Sequence, residues 1–295
     1  MRHTLLFTLL ILLLLPSAAH AQKAAPLREG RIAFNGGTLA YAEAGQGKPV
    51  VFLHAGFQDR SMWVRQMQLQ RYFRLILVDL PGHGATADGP RRANADSIVL
   101  TLLDSLHIDH ASIVSLSFGS AVALEFASRH PERVEKLVMA GPAVEGWSEI
   151  QTVLPQTMKT FTDLMAALEA KDTAKAALGF VKNWYAGPLR RLNELPEPLF
   201  NYGYTTTLHN MRAHKASGWP EFEAPTTVHR VAALNVPVLL LLGAKDMPEV
   251  LRVGDWLKKT LPHTQLITFR SAAHMVNMEQ PLIFNKAVLE FLQKP

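Results

Sequence analysis

Short apolar runs alternate with longer amphipathic stretches along most of the chain. From Arg31 to Glu43 an extended pattern is interrupted only by the turn Asn35-Gly36-Gly37, which predicts a β-hairpin. Six further runs of four or five mostly apolar residues have the length expected of buried strands. They occupy residues 50–53, 75–78, 113–116, 137–140, 238–242 and 265–269.

Amphipathic helices are predicted between these runs. Asp96 is expected to cap a helix with one apolar face, and residues 118–130 and 281–292 have helical spacing too. Strands that alternate with helices form parallel sheets covered on both faces. The pattern therefore predicts an α/β fold with a mainly parallel, eight-stranded sheet and helices on both of its faces.

The alternation stops after the sixth predicted strand. Between residues 145 and 230 helical periodicity continues without a convincing strand, and ten of the chain's 24 aromatic residues lie there. A helical cap with an apolar underside over a pocket needs such a stock of rings, although we expect most of them to pack the cap's own core. We predict a core of residues 22–144 and 231–295, with residues 145–230 inserted as a helical cap.

The first residues have the order of a secretory signal peptide. Arg2 precedes an apolar run over residues 5–15, and Ala19-His20-Ala21 follows as a small-x-small cleavage site. We expect removal of residues 1–21, a mature chain that starts at Gln22, and export to the periplasm or the medium. An uncleaved membrane anchor is the alternative, but 11 residues rise only about 16 Å as a helix, about half of a bilayer core.

Composition and charge exclude several classes of protein. With 48% hydrophobic and 19% charged residues and no Cys, the chain has the composition of a globular protein that needs no disulfides. The net charge of +5 is scattered, and no run of like charge is longer than a pair. We therefore expect no nucleic-acid interface and no stable membrane anchor after cleavage. The sequence carries no signal for an oligomeric state.

The sharpest local signal for chemistry is the stretch Ser112-Ile113-Val114-Ser115-Leu116-Ser117-Phe118-Gly119-Ser120. It predicts a strand that turns tightly into a helix, and a serine at such a corner projects its hydroxyl above the sheet. Ser117 is therefore a candidate nucleophile. The nucleophile-elbow pattern has Gly two residues before and two after the serine; Gly119 fits, whereas Ser115 stands in the other position.

Two further candidates follow predicted strands. Asp246 comes after the strand at 238–242, and His274 comes after the strand at 265–269. The chain order Ser, Asp, His is one of those known for a catalytic triad, and active sites of parallel sheets lie where strands end. Glu145, after the sixth strand, is the alternative acid.

With these residues the chain resembles the α/β-hydrolase superfamily, specifically its capped carboxylesterases, enol-lactonases and carbon-carbon hydrolases. Leu53-His54-Ala55-Gly56-Phe57 is similar to the oxyanion-hole loop of that family, with Ala for Gly. Asp79-Leu80-Pro81-Gly82-His83-Gly84-Ala85-Thr86 is similar to its D-x-x-G-x-G-x-S motif, with Thr for Ser. The ending from His274 to Pro281 matches H-x-x-x-x-E-x-P.

The resemblance implies a role for each residue. Ser117 is the nucleophile, His274 the general base and Asp246 the residue that orients the base. The amides of Gly56 and Phe118 are expected to form the oxyanion hole.

One alternative donor and two histidines need separate interpretations. Phe57 N–H is the alternative to Gly56 in the oxyanion hole. His54 and His83 are interpreted as structural residues of their loops. No metal or organic cofactor is expected.

These observations predict an exported serine hydrolase. It cleaves a small or medium carboxylic ester or lactone, a small-molecule substrate, through an acyl-enzyme. The same triad acting on an amide, a thioester or the carbon-carbon bond of a diketone is a near alternative. A non-catalytic protein that holds a hydrophobic ligand in the capped pocket is a further one.

Overall fold

The computed structural model describes residues 26–214 and 219–294; the predicted signal peptide lies outside these ranges. The strands are β1 (Arg28–Phe34), β2 (Gly37–Ala44), β3 (Pro49–Leu53), β4 (Arg74–Val78), β5 (Ala111–Leu116), β6 (Val134–Ala140), β7 (Val238–Gly243) and β8 (Thr264–Phe269). The α-helices are α1 (Ala95–Ser105), α2 (Phe118–Arg129), α3 (Trp147–Ile150), α4 (Pro155–Glu169), α5 (Thr173–Phe180), α6 (Glu197–Ala213), α7 (Thr227–Arg230), α8 (Pro248–Thr260), α9 (Val276–Glu279) and α10 (Pro281–Gln293). None of the described helices combines the length and the apolar character needed to cross a membrane.

The eight strands form one sheet in the order β1-β2-β4-β3-β5-β6-β7-β8. β1 and β2 form the predicted hairpin, β2 pairs antiparallel with β4, and every other neighbouring pair is parallel. The mainly parallel, eight-stranded α/β sheet predicted from the apolar runs is confirmed. Because the inner strands are parallel, their carboxyl ends meet at one edge of the sheet.

Helices cover both faces of this sheet, as the strand residues require. Successive residues of β3 enter different cores: Val51 packs with α1, α2 and α8, whereas Phe52 packs with α10 and the 3₁₀ helix Arg60–Arg71. The alternation follows from the pleat of a strand, which sends neighbouring side chains to opposite faces. Burial on both faces explains why the strands appear in the sequence as continuous apolar runs.

One predicted helix boundary is wrong. Asn94, not Asp96, is the N-cap of α1, because Asn94 has the extended backbone (φ −66°, ψ 137°) that precedes the first helical turn. Asp96 lies inside that turn, where a carboxylate is favoured by the helix dipole. Its Oδ2 atom lies 3.2 Å from Nε2 of His130.

Helices fill the described part of the chain between β6 and β7. It contains α3 to α7, the π-helix Val181–Ala186 and the 3₁₀ helices Leu192–Glu194 and Val231–Ala233. Its described residues add no strand to the sheet. We call the described residues of 145–230 the lid. The lid lies against the sheet edge where the parallel strands end. A Cβ on Gly187 would lie 2.2 Å from the Lys245 carbonyl oxygen, just after β7, and the Trp184 ring lies against His274, after β8.

Candidate active site

Ser117 occupies a strained turn between β5 and α2. Its backbone has φ 55° and ψ −116°, a conformation that is rare for a residue with a side chain. The Ser117 N–H donates to the Ala140 carbonyl at the end of β6 (3.0 Å), and its carbonyl accepts from the Ser120 amide (2.8 Å). The turn therefore has the geometry of a nucleophile elbow, in which a serine stands at the strand-to-helix corner.

Two small residues flank this turn, as the elbow pattern requires. A Cβ on Gly119 would lie 2.3 Å from the Leu53 carbonyl oxygen, so glycine alone lets α2 begin this close to β3. Ser115, which stands where the pattern has Gly, is fully buried, and its hydroxyl donates to the Val138 carbonyl and contacts Ser120 Oγ, both at 3.1 Å. The extra hydroxyl thus has partners, and the corner accommodates it.

Asp246 and His274 are brought together at the ends of β7 and β8. His274 Nδ1 lies 2.7 Å from Asp246 Oδ2, and both side chains are almost fully buried. The other carboxylate oxygen of Asp246 accepts the Met247 amide at 2.7 Å, which fixes the carboxylate plane. The partner of His274 is therefore Asp246 and not Glu145.

The opposite ring nitrogen of His274 is unpaired. Nε2 is buried without a hydrogen-bond partner in the described part of the chain, so no hydrogen bond joins it to Ser117 in this structure. An imidazole whose Nδ1 is held by a carboxylate keeps its Nε2 lone pair for a proton from a nucleophile.

Gly141 lies between the Ser117 turn and the His274–Asp246 pair. The sequence interpretation missed this residue. Ala140 accepts the Ser117 amide, and a Cβ on the next residue, Gly141, would lie 2.7 Å from His274 Nδ1 and 3.3 Å from Asp246 Oδ2. Ser117, His274 and Asp246 therefore all border residues 140–141. A glycine directly after the predicted strand 137–140 was the available signal.

The amides proposed for the oxyanion hole lie on adjoining segments. A Cβ on Gly56 would lie 3.6 Å from Phe118 Cβ. Gly56 N–H has no acceptor in the described part of the chain, and the N–H of Phe118, the first residue of α2, has none within its helix. Phe57 N–H donates to His83 Nε2 (2.9 Å), so this alternative donor is already engaged.

His54 and His83 hold the loop that carries Gly56. His54 Nε2 accepts the Leu80 amide (2.9 Å), which leaves the proton on Nδ1 for the Ala55 carbonyl (2.8 Å). His83 Nε2 accepts from Phe57, and its Nδ1 lies 3.0 Å from the Pro81 carbonyl. Both rings are completely buried, and this desolvation lowers the pKa of His54 and places the pKa of His83 well below its usual value.

Two lid tryptophans face these groups. The Trp184 ring centroid lies 4.7 Å from that of His274. The Trp219 ring lies 4.7 Å from Phe118 and 4.9 Å from Phe57, directly against the Gly56–Phe118 junction. The sequence identified both only as members of an aromatic-rich segment. The surroundings of the candidate site are therefore apolar and aromatic.

A buried ion pair supports the histidine loop and was also missed. Glu279 Oε1 accepts the Ala273 amide (2.8 Å), next to His274, and its Oε2 pairs with Arg190 of the lid (2.6 Å). Arg190 in turn donates to the Tyr185 carbonyl (2.7 Å). The lid thus contacts the loop that carries His274 through a charged bridge.

Comparison with known proteins agrees with this geometry. The model of the alpha/beta hydrolase fold family matches residues 48–281. The chain is 28% identical over 274 residues to 2-hydroxy-6-oxononadienedioate/2-hydroxy-6-oxononatrienedioate hydrolase 1 of Pseudomonas putida, covering 86% of this chain and 91% of the relative. It is 28% identical over 270 residues to pimeloyl-[acyl-carrier protein] methyl ester esterase of Chromobacterium violaceum, covering 84% and 96%.

A solved structure supports the fold independently. Carboxylesterase CesB (YbfK) from Bacillus subtilis superposes with a TM-score of 0.71 at 22% identity, over 91% of this chain and 92% of that one. The chain belongs to the alpha/beta hydrolase fold family. The relatives named above are a hydrolase and an esterase, which supports the assignment of the chain as an enzyme, an esterase-like α/β-hydrolase.

The buried histidines predict a pH dependence of stability. His83 stays neutral in the folded protein but is protonated in the unfolded chain below its ordinary pKa of 6.5. The free energy of unfolding is therefore fully retained above pH 6.5 and falls below it, by up to about 1.4 kcal/mol per pH unit for each such histidine. Urea unfolding measured between about pH 7.5 and about pH 5 is expected to show this loss.

Two variants test the assignment. His83→Gln is expected to have a shallower dependence on pH than the wild type. His209→Gln, at an exposed position on α6, is expected to keep the wild-type dependence. Equal slopes for His83→Gln and the wild type would contradict the assignment.

Proposed function

We propose that the protein hydrolyses a small or medium carboxylic ester or lactone through an acyl-enzyme on Ser117. The observation that carries this proposal is the His274–Asp246 pair, whose Nε2 is unpaired. Its imidazole lies against Gly141, the residue after the Ala140 carbonyl that holds the strained Ser117 turn. A serine, a histidine and a carboxylate in this chain order form the machinery of acyl transfer.

The first half of the reaction forms the acyl-enzyme. His274 Nε2 takes the hydroxyl proton while Ser117 Oγ attacks the substrate carbonyl carbon, and Asp246 stabilises the resulting imidazolium. The negative charge that develops on the carbonyl oxygen is met by the N–H groups of Gly56 and Phe118. Collapse of the tetrahedral intermediate breaks the acyl-oxygen bond, and His274 returns the proton to the leaving alcohol.

The second half regenerates the enzyme. A water molecule loses a proton to His274 and attacks the acyl carbon, and the bond to Ser117 Oγ breaks as that oxygen is reprotonated. Water is the only co-reactant that the reaction consumes. His54 and His83 are buried, and each uses both of its ring nitrogens in contacts with backbone groups. We therefore assign the role of base to His274 and not to these two histidines.

A second candidate function is cleavage of a carbon-carbon bond in a diketone. The similarity to the oxononadienedioate hydrolase favours it. A ketone has no acyl-oxygen bond, so its hydrolysis at the carbonyl breaks a carbon-carbon bond. The similarity to the methyl ester esterase favours the first proposal. Both reactions use the same triad and differ in the leaving group.

Turnover measurements separate these proposals. We expect p-nitrophenyl esters from acetate to octanoate to be hydrolysed faster than an aryl anilide or a 1,5-diketone. The Ser117→Ala variant is expected to lose roughly 10⁴-fold or more of kcat, since the nucleophile and its base act as one unit. A fluorophosphonate probe is expected to label Ser117 and no other serine.

Four outcomes would overturn the proposal. Full activity of Ser117→Ala, or labelling of another serine, would exclude the assigned nucleophile. Faster turnover of the diketone would favour the second candidate. Retention of a hydrophobic ligand without a burst of product would instead indicate a binding protein.

Trp219 is expected to limit the length of the acyl chain. Its indole lies against Gly56 and Phe118, the residues proposed to hold the carbonyl oxygen. Trp219→Ala removes this barrier. The ratio of kcat/KM for the octanoate ester to kcat/KM for the acetate ester should therefore rise roughly tenfold, because a few methylenes of the longer acyl chain gain apolar contact. Phe161→Ala, on an exposed lid ring, serves as the control with an unchanged ratio. An unchanged ratio in Trp219→Ala would reject this role.

Export is a separate proposal that rests on the sequence alone. Arg2, the apolar run 5–15 and Ala19-His20-Ala21 support cleavage after residue 21. Expression with its own leader in a Gram-negative host is expected to yield a periplasmic or secreted protein whose N-terminal peptide begins at Gln22 by mass spectrometry. Recovery of the intact Met1 peptide in the membrane fraction would support the uncleaved anchor instead.

A further inference from the structure

Residues 53–58, which we call the oxyanion loop, carry the proposed oxyanion donor Gly56 and are held from two sides. On the core side, the peptides before and after Gly56 are fixed by histidines: His54 binds the Ala55 carbonyl and His83 binds the Phe57 amide. The next peptide begins with the Phe57 carbonyl, and Phe57 itself has φ 56°, a strained value for a residue with a side chain. A loop in this conformation keeps its shape only where its surroundings determine it.

Lid side chains supply the other side. Asn210 of α6 donates from Nδ2 to the Phe57 carbonyl (3.3 Å), and its Oδ1 accepts the Gly84 amide (2.8 Å). Asn210 is almost fully buried although it lies on a mainly polar helix. One lid side chain thus joins the oxyanion loop to the Gly84 turn.

Gln58, the residue after Phe57, is held by the lid more completely. Its fully buried amide accepts from the Tyr185 hydroxyl (2.6 Å) and donates to Thr207 Oγ1 (2.8 Å) and to the Phe57 carbonyl (3.1 Å). Two of these three hydrogen bonds involve lid residues. A buried amide that loses its hydrogen-bond partners lowers the free energy of unfolding. The lid is therefore required for this loop to keep its hydrogen bonds.

The fit of Tyr185 is specific to this arrangement. The residue lies on the π-helix Val181–Ala186, and a Cβ on Gly203 of α6 would lie 2.7 Å from the Tyr185 ring. Glycine at this position lets the ring pass between the two lid helices to reach Gln58. The neighbouring Trp184 lies against His274, so consecutive residues of one helix contact the two halves of the site.

We propose that Tyr185, Thr207 and Asn210 of the lid are positioning residues that hold the Phe57–Gln58 peptide, and with it the Gly56 amide, in the orientation that stabilises the oxyanion. This inference rests on the proposed acyl transfer at Ser117. It assigns the lid a part in activating the carbonyl, in addition to covering the pocket.

The experiment compares two lid tyrosines. Tyr185→Phe removes the hydroxyl that binds Gln58, whereas Tyr202→Phe removes a hydroxyl that contacts Ser61 Oγ (2.8 Å). Ser61 is an exposed residue of the 3₁₀ helix Arg60–Arg71, outside the oxyanion loop. We expect Tyr185→Phe to lower kcat roughly 10-fold and the double variant Tyr185→Phe/Thr207→Val roughly 100-fold, with KM within about twofold of the wild type. Tyr202→Phe is expected to retain wild-type kcat.

A transition-state analogue provides the decisive second measurement. An aryl trifluoromethyl ketone adds to the serine and carries an oxyanion, so its affinity should fall by the same factor as kcat/KM. Labelling of Ser117 by fluorophosphonate should persist, and the pH profile of kcat should keep its shape because His274 and Asp246 are unchanged. Asn210→Leu should show the same pattern from an independent contact.

The outcomes distinguish this inference from the function it rests on. Equal losses in Tyr185→Phe and Tyr202→Phe, a loss confined to KM, or unchanged affinity for the ketone would overturn the positioning role while the esterase assignment stands. An inactive wild type would overturn the proposed function. If circular dichroism shows that the double variant does not fold, the single variant Thr207→Val is measured instead. A kcat and a ketone affinity equal to those of the wild type would then overturn the inference.

Discussion

The positive φ of Ser117 is the constraint on which the candidate site depends. A residue with a side chain adopts this conformation only when neighbouring backbone can approach it closely, and here β3, β6 and α2 converge around it. Gly119 permits the approach of β3, and the Ala140 carbonyl holds the Ser117 amide. Gly141 then leaves room for the imidazole of His274. The geometry of the candidate site therefore depends on these two glycines as well as on Ser117 and His274.

The lid contributes to the same site through its π-helix. Trp184 lies on His274, Tyr185 binds the oxyanion loop, and a Cβ on Gly187 at the end of this helix would lie 2.2 Å from the Lys245 carbonyl, beside Asp246. A π-helix widens the turn, and such segments occur often at functional sites. Because one short segment contacts Lys245 beside Asp246, His274 and Gln58, displacement of the lid would disturb all three parts of the candidate site.

The sequence predicted the sheet and the candidate triad for a physical reason. Strands buried on both faces appear as uninterrupted apolar runs, and the carboxyl ends of parallel strands meet at one edge, where Asp246 and His274 pair. Thr207 and Asn210 were not predicted, because polar residues on a helix are normally exposed to solvent. Only the packing of α6 on the oxyanion loop buries them. The N-cap of α1 was missed because it depends on local backbone angles rather than on side-chain periodicity.

The dependence of the oxyanion loop on the lid has a consequence for specificity in this fold. Specificity depends on the side chains that contact the substrate, and Trp219 of the lid is the residue proposed for that role here. Here the lid also fixes the Phe57 carbonyl and the Gln58 side-chain amide, which lie one and two residues after Gly56, the residue of the proposed carbonyl-binding amide. Exchange of a lid would therefore alter carbonyl activation together with pocket shape. Lids and oxyanion loops in such proteins are expected to change together, since a buried Gln58 without its lid partners is destabilising.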